Sequence, residues 1–213
     1  SGIKGDPRPR ADVTHKRSVM AACLALIVLA GLLAYANTFK VPFVFDDLTN
    51  ISGNETIRSI SGVLGAWDET RFIGFLTFAI NYRLHGLSVT GYHVFNLAVH
   101  IISALLVFWL TLLTLKTPHL RESRLGQPGR MPLAIALFAG LIFVVHPIQT
   151  QAVTYTVQRL ASLATLFYLL SLVMYAWWRL RADEHAKAAG PGRRLLLNLK
   201  DKGVLLYVAS LVS

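Results

Sequence analysis

Uncharged apolar runs long enough to cross a lipid bilayer dominate this chain of 213 residues. A bilayer core requires roughly 20 apolar residues per transmembrane helix. Four runs meet or approach this length, at residues 18–39, 94–115, 132–148 and 160–178. A fifth run, residues 203–213, has about half the length, which suggests a fragment of a longer protein. The runs predict an all-α polytopic membrane protein with four complete spans and a partial fifth, so that residues 18–213 form one transmembrane domain.

The composition agrees with this class. Hydrophobic residues make up 54% of the chain and charged residues only 15%, whereas an ordinary soluble domain has about 25% charged residues. These values argue against a soluble globular enzyme and against a disordered chain. The chain has one cysteine, which excludes an intrachain disulfide framework and a multi-cysteine zinc site.

The positive charges are distributed unevenly along the chain. Residues 1–17, 116–130 and 179–202 hold sixteen of the 21 Lys and Arg residues, whereas residues 38–92 and 147–159 hold five. Because Lys and Arg are retained on the cytoplasmic side, this pattern predicts a cytoplasmic basic tail and an outer loop at 38–92. The net charge of +10 is then explained by the orientation of the chain in the membrane and by contact of the basic segments with anionic membrane lipid. Without motif support, nucleic acid is not an expected partner.

The predicted outer loop, residues 38–92, is too apolar to be a free linker. Within it, the apolar residues of 56–67 and of 72–84 recur at nearly helical spacing. We therefore expect two short amphipathic helices at the outer membrane surface.

Adjacent carboxylates follow the first span, at Asp46 and Asp47. Two neighbouring carboxylates disfavour each other's ionisation, so one pKa should rise, which suits a general base working near neutral pH. The alternative is a turn in which the aspartates cap a helix.

Polar residues also lie in the outer half of the second span. His93, Asn96 and His100 share one helix face, and such residues avoid lipid and face the bundle or a wet cavity. His146 should enter the same layer from the third span. A divalent metal is conceivable, but two of these histidines are about 10 Å apart along the helix axis. Interhelical hydrogen bonds are the favoured interpretation, and we predict no cofactor.

Arg71 and Arg159 belong to the same outer side. An arginine there either snorkels to the surface or binds phosphate oxygens through its planar guanidinium. The residues alone leave both interpretations open.

Several stretches together resemble one protein family. They are residues 41–54, 71–82, 91–100, 145–155 and 158–162. In order, spacing and topology they resemble the N-terminal membrane portion of tetratricopeptide-repeat-containing O-mannosyltransferase-like proteins, in particular their bacterial relatives. These proteins are placed in the GT-C glycosyltransferase superfamily, so the resemblance implies a GT-C-like helical bundle.

This resemblance implies a membrane glycosyltransferase. Such an enzyme would move a sugar from a polyprenyl-phosphate donor to hydroxyl groups of an exported protein, at the outer face of a bacterial inner membrane. Asp46 or Asp47, with Asp47 preferred, would remove the acceptor proton. Arg71 or Arg159 would stabilise the leaving phosphate. The remaining candidate substrate-binding residues are the histidines His93, His100 and His146.

The chain also departs from the family. GT-C proteins have more spans than are present here, and these relatives carry tetratricopeptide repeats after them. A second hypothesis is therefore a non-catalytic membrane subunit or truncated paralogue that packs against other membrane proteins. Small residues in the first span permit such close packing: Ala21, Ala25, Ala30 and Gly31.

Overall fold

The fold is a helical bundle, seen in a computed structural model that describes residues 8–65, 71–127 and 129–189. The described residues contain no strand, so the predicted all-α class is confirmed. The α-helices are α1 (Arg8–Ala34), α2 (Ile60–Gly65), α3 (Phe72–His85), α4 (Val89–Leu115), α5 (Pro118–Arg121), α6 (Met131–Val145), α7 (Thr150–Thr154) and α8 (Arg159–Ala189). The partial fifth span predicted at 203–213 lies outside the described residues.

Three helices are long and apolar enough to cross a bilayer, within the segments Arg17–Ala34, Val89–Leu115 and Thr156–Glu184. They correspond to the predicted first, second and fourth spans. The predicted third span is a bent pair, in which Met131–Val145 and Pro147–Thr154 meet at 49°. The described part of the chain thus has three candidate spans, or four if the bent pair is counted as one.

The bend follows from Pro147. A proline lacks the backbone N–H that would continue a helix, and it disfavours the α conformation in the residue before it. His146 is accordingly extended, with φ −64° and ψ 129°. Its Nδ1 accepts a hydrogen bond from the Ile148 amide at 3.2 Å. The chain therefore leaves α6 at residue 146 and turns along the end of the bundle.

Helix α4 is the centre of the bundle, because α1, α6 and α8 all pack against it. The bundle core includes Ile27, Ala104 and Phe108, all fully buried. Glycines allow close approach: a Cβ at Gly31 would lie 2.9 Å from Ile101, and one at Gly140 would lie 2.8 Å from Ile27. Gly31 is thus used for packing within the chain.

The segment between α1 and α4 forms a cap with its own core. Ile51, Ile57, Val63, Phe78 and Tyr92 are buried together. Helices α2 and α3 lie in the two stretches predicted to form amphipathic helices; residues 66–70, between them, are not described. The cap sits at the end of the bundle where α1 and α6 finish and α4 and α8 begin, called here the cap end.

Candidate functional site

His93 holds the segment that follows α1 against the cap end. The Nε2 atom of His93 lies 2.9 Å from the Val41 carbonyl oxygen, and its Nδ1 atom lies 3.3 Å from that of Val153. The Phe43 ring packs edge-on against Tyr92, with centroids 5.3 Å apart. One buried histidine of α4 therefore joins the loop that carries the acidic pair to the loop that follows α6.

Asp47 is fully buried and both of its carboxylate oxygens accept backbone hydrogen bonds. The Val157 amide donates to Oδ1 at 2.6 Å, and the Val44 amide donates to Oδ2 at 3.3 Å. Burial raises the pKa of the Asp47 carboxyl, although the backbone hydrogen bonds act in the opposite direction. The predicted upward shift is thus confirmed, but its main cause is desolvation rather than the neighbouring carboxylate.

Asp46 has a different environment, because it is exposed to solvent. Its backbone amide donates to the Tyr155 hydroxyl at 3.2 Å. The preceding Phe45 is 82% exposed and has a φ of 49°, a left-handed conformation that costs a non-glycine residue about 1–2 kcal/mol. The fold therefore separates the acidic pair into a buried, bonded carboxylate and an exposed one beside a strained aromatic residue.

Arg159, the first residue of α8, is completely buried. Its Nε donates to Asn96 Oδ1 at 2.7 Å, its Nη1 donates to Asn81 Oδ1 at 2.7 Å, and its Nη2 donates to the Tyr92 carbonyl at 3.0 Å. The guanidinium also lies over the Phe95 ring, 4.2 Å from its centroid. These contacts tie α8 to α3 and α4, so Arg159 is engaged by protein groups on all sides.

Arg71, by contrast, is exposed and precedes α3 in a left-handed conformation with φ 68°. It stands at a groove of about 490 Å³ between α3 and α8. The groove walls are almost entirely apolar and include Phe72, Gly74, Leu160, Leu163 and Phe167. An exposed cation thus lies beside an apolar groove, an arrangement that suits an anionic group attached to an apolar chain.

The other predicted polar residues are dispersed along the cap end. His100 Nε2 contacts the Val144 carbonyl at 3.1 Å, and the Asn96 amide donates to the Thr156 carbonyl at 3.2 Å. The predicted interhelical hydrogen bonds of the buried α4 face are therefore present. His146 is exposed at the turn and does not join this buried layer. The reason is that Pro147 makes α6 end at Val145, so His146 already lies outside the helix. Within the described ranges, no group of three or more His, Cys, Asp or Glu side chains is placed to hold a metal ion.

Sequence reasoning did not single out Asn81, Tyr155 or Val157 as parts of this arrangement. Asn81 had a detectable signal, since it is a polar residue three positions after the apolar Phe78 in an amphipathic helix. The Val157 contact had none, because it uses a backbone amide 110 positions from its aspartate.

Comparison with known proteins gives relatives by sequence only. No protein-family model matches the chain, and no solved structure matches it. Protein O-mannosyl-transferase TMTC4 of Mus musculus is 30% identical over 184 residues, which are 78% of this chain and 25% of that protein. Protein O-mannosyl-transferase F38B6.6 of Caenorhabditis elegans is 29% identical over 80% of this chain and 25% of its own length. Protein O-mannosyl-transferase Tmtc1 of Drosophila melanogaster is 30% identical over 79% of this chain and 19% of its own length.

The chain spans about a quarter of the length of these curated relatives, or less. With its candidate spans, this similarity makes the chain an integral membrane protein. Over the part that they share, the chain is similar to the TMTC-like protein O-mannosyl-transferases, in agreement with the resemblance found in its motifs.

Proposed function

We propose that this chain forms part of a GT-C-type membrane glycosyltransferase. In this proposal it transfers a sugar from a polyprenyl-phosphate donor to hydroxyl groups of exported proteins. The reaction takes place at the outer face of a bacterial inner membrane, and the N-terminus is cytoplasmic. The names of the relatives support protein O-mannosyl transfer as the general class of reaction.

The observation that carries the proposal is the division of the acidic pair. A general base must reach the proton that it removes, and Asp46 is the exposed member of the pair. Both oxygens of Asp47 are already bonded to backbone amides. We therefore assign the base to Asp46 in place of the preferred Asp47, and Asp47 becomes a positioning residue that fixes the loop.

The chemistry balances with one carboxylate as the base. The acceptor hydroxyl oxygen forms a bond to the anomeric carbon of the sugar while its proton passes to Asp46. The bond between that carbon and the phosphate oxygen breaks, and its electron pair leaves with the polyprenyl phosphate. Attack from the side opposite the leaving group inverts the configuration of the anomeric carbon.

The leaving phosphate is assigned to Arg71. Its guanidinium is exposed, and the apolar groove beside it has room for an isoprenoid chain. The start of α3 adds the positive end of a helix dipole to the same place. Arg159 is buried, and each of its three guanidinium nitrogens donates a hydrogen bond to a protein acceptor, so in this proposal it supports the site by joining α3, α4 and α8.

The histidines are also assigned to positioning. His93 and His100 contact backbone carbonyls from the loop and helix that pack against α4, and His146 caps its own turn. In this proposal they hold the loops around the substrates rather than bind the phosphate.

The proposal is tested by sugar transfer in membranes that contain the natural-length protein, with polyprenyl-phosphate mannose as the donor. Asp46→Asn should lower the rate by about a hundredfold or more, since a lost general base costs about that much. The amount and the unfolding temperature of the protein should stay the same because Asp46 is exposed. Asp47→Asn should instead lower the unfolding temperature, because one partly buried backbone amide loses its acceptor.

Glu55→Gln is the matched control, since Glu55 is an exposed carboxylate of the same cap and makes no capping hydrogen bond. It should leave the rate unchanged. Full transfer by the Asp46→Asn protein would refute the assignment of the base. Absence of transfer in the wild-type protein, with several polyprenyl donors, would refute the enzymatic proposal.

The second candidate function is a non-catalytic subunit. It is favoured by the outer face of α1, where Leu29 is 51% and Leu33 is 68% exposed. Such a face packs either against lipid or against helices of another membrane protein. Stable co-purification of a partner, crosslinked to α1 and accompanied by no transferase activity, would favour this function.

A further inference from the structure

The end of the bundle opposite the cap contains a second cavity, of about 560 Å³. It is bordered by the C-terminal ends of α4 and α8 and by the loop that contains α5. Its charged side chains are Lys116, Arg121, Arg181 and Glu184, so cations outnumber carboxylates. This cavity is called here the basic-end pocket, and the proposed transfer reaction does not use it.

Within the described part of the chain, Glu184 is the one acidic side chain that lines the pocket with its three basic side chains. The ion pair seen at this end of α8 joins Arg179 to Asp183 at 3.5 Å. Among the residues that the structure describes, Lys116 and Arg121 form no ion pair, and both are exposed. Cations gathered in this way repel one another, and an anion between them would remove that repulsion.

The position of the pocket indicates which class of anion it would bind. Lys116 directly follows the last residue of the spanning helix α4, so the cations stand where the apolar part of a span ends. That depth is the depth of lipid headgroups. Leucines of α4 and α8 form the apolar wall, among them Leu112 and Leu180. A free phosphate ion gains nothing from such a wall, whereas the acyl chain of a lipid does.

Trp177 gives independent support for a lipid. It lines the pocket, it is 49% exposed, and the Arg181 guanidinium lies 4.2 Å from the centroid of its ring. Tryptophan prefers the headgroup layer of a bilayer, because one part of its ring system is apolar and its N–H is polar. Stacking also orients the guanidinium and leaves the edge with its N–H groups able to face an anion.

We propose that the basic-end pocket binds the headgroup phosphate of an anionic glycerophospholipid, with the acyl chains lying along the ends of α4 and α8. Lys116, Arg121 and Arg181 contact the phosphate, and Trp177 packs against the glycerol region. This assignment is independent of the proposed transfer reaction and holds for either function of the chain.

The test measures lipid binding to the natural-length protein by native mass spectrometry, with phosphatidylglycerol and phosphatidylcholine offered in equal amounts. In the triple variant Lys116→Gln, Arg121→Gln, Arg181→Gln the affinity for phosphatidylglycerol should fall by about tenfold or more, because each cation near an anionic headgroup contributes to binding. Phosphatidylcholine binding should stay as it is. Inorganic phosphate should fail to displace the lipid.

A matched control removes the same charge from the same end of the bundle outside the pocket, as Arg17→Gln, Arg124→Gln, Arg130→Gln. It should stay within about twofold of the wild-type affinity, since exposed charges outside a pocket contribute little. Equal losses in both triple variants would overturn the pocket in favour of diffuse attraction. Equal binding of both lipids, or displacement by inorganic phosphate, would overturn it as well.

Folding of the variants is measured separately, as the unfolding temperature in detergent without added lipid. If the triple variant does not fold, the single variant Lys116→Gln replaces it, because Lys116 is exposed. Selective loss of phosphatidylglycerol binding in that variant supports the proposal, and unchanged binding contradicts it.

Discussion

Arg159 and Arg71 show how differently the fold uses two arginines that are equivalent in the sequence pattern. Both stand at the start of an apolar stretch on the same predicted side of the membrane. The protein surrounds Arg159 with amide and carbonyl acceptors and aromatic rings, whereas Arg71 stays exposed beside a groove. Composition and spacing carry no information on this difference, because the partners of Arg159 come from positions more than 60 residues away.

We predict that Arg159→Lys destabilises the protein strongly. A lysine ammonium cannot reach Asn96, Asn81 and the Tyr92 carbonyl in the planar arrangement that a guanidinium provides. At least one buried acceptor would lose its donor, at about 1–3 kcal/mol for each group. The measurement is the free energy of unfolding in detergent. Arg83→Lys is the control, since Arg83 is exposed on α3, and a similar loss in both variants would contradict the role assigned to Arg159.

At the scale of elements, the position of α3 against α8 determines the shape of the groove beside Arg71. Gly74 is buried in this contact, and a Cβ at this position would overlap the Cδ2 atom of Leu160. The absence of a side chain at Gly74 thus lets the two helices meet closely at the floor of the groove. Both residues also line the groove itself.

We therefore predict that Gly74→Ala destabilises the α3–α8 contact by about 1–3 kcal/mol, the usual cost of overpacking a tight site. Leu160→Ala removes the overlapping atoms, so the double variant should be more stable than the sum of the two single effects. Unfolding temperatures in detergent provide the measurement. Gly65→Ala should be neutral or slightly stabilising, because a Cβ there meets no atom of the described residues within 4 Å and alanine favours a helix. Additive effects of Gly74→Ala and Leu160→Ala would contradict this account.

The helices themselves were largely predictable, and their ends were not. The spanning helices follow from long uncharged runs, and α2 and α3 follow from apolar spacing in the cap segment. The first span was expected to reach residue 39, but α1 ends at Ala34 and a short 3₁₀ turn, Thr38–Lys40, follows. Burial of Thr38 and the contact between His93 and the Val41 carbonyl fix this segment against the cap end. Such tertiary contacts override a local apolar pattern.

At the scale of the whole molecule, the two ends of the bundle differ in chemistry. The cap end holds the acidic pair, buried histidines and Arg159, most of them paired with protein groups. The opposite end carries exposed basic side chains around the basic-end pocket. This asymmetry agrees with the uneven charge along the chain. The proposed transfer to exported acceptors requires one orientation in the membrane, with the cap end outside.

The positive-inside pattern predicts a cytoplasmic location for the basic end and an outer location for the cap. Because the single native cysteine, Cys23, is buried, single reporters are introduced as Arg124→Cys and Glu55→Cys, each with Cys23→Ser. Both positions are exposed. In intact cells a membrane-impermeant thiol reagent should label Glu55→Cys, and it should label Arg124→Cys only after the cells are opened. Labelling of Arg124→Cys in intact cells would show that the orientation is the reverse of the predicted one. Asp46 would then lie on the side of the membrane opposite to exported acceptors.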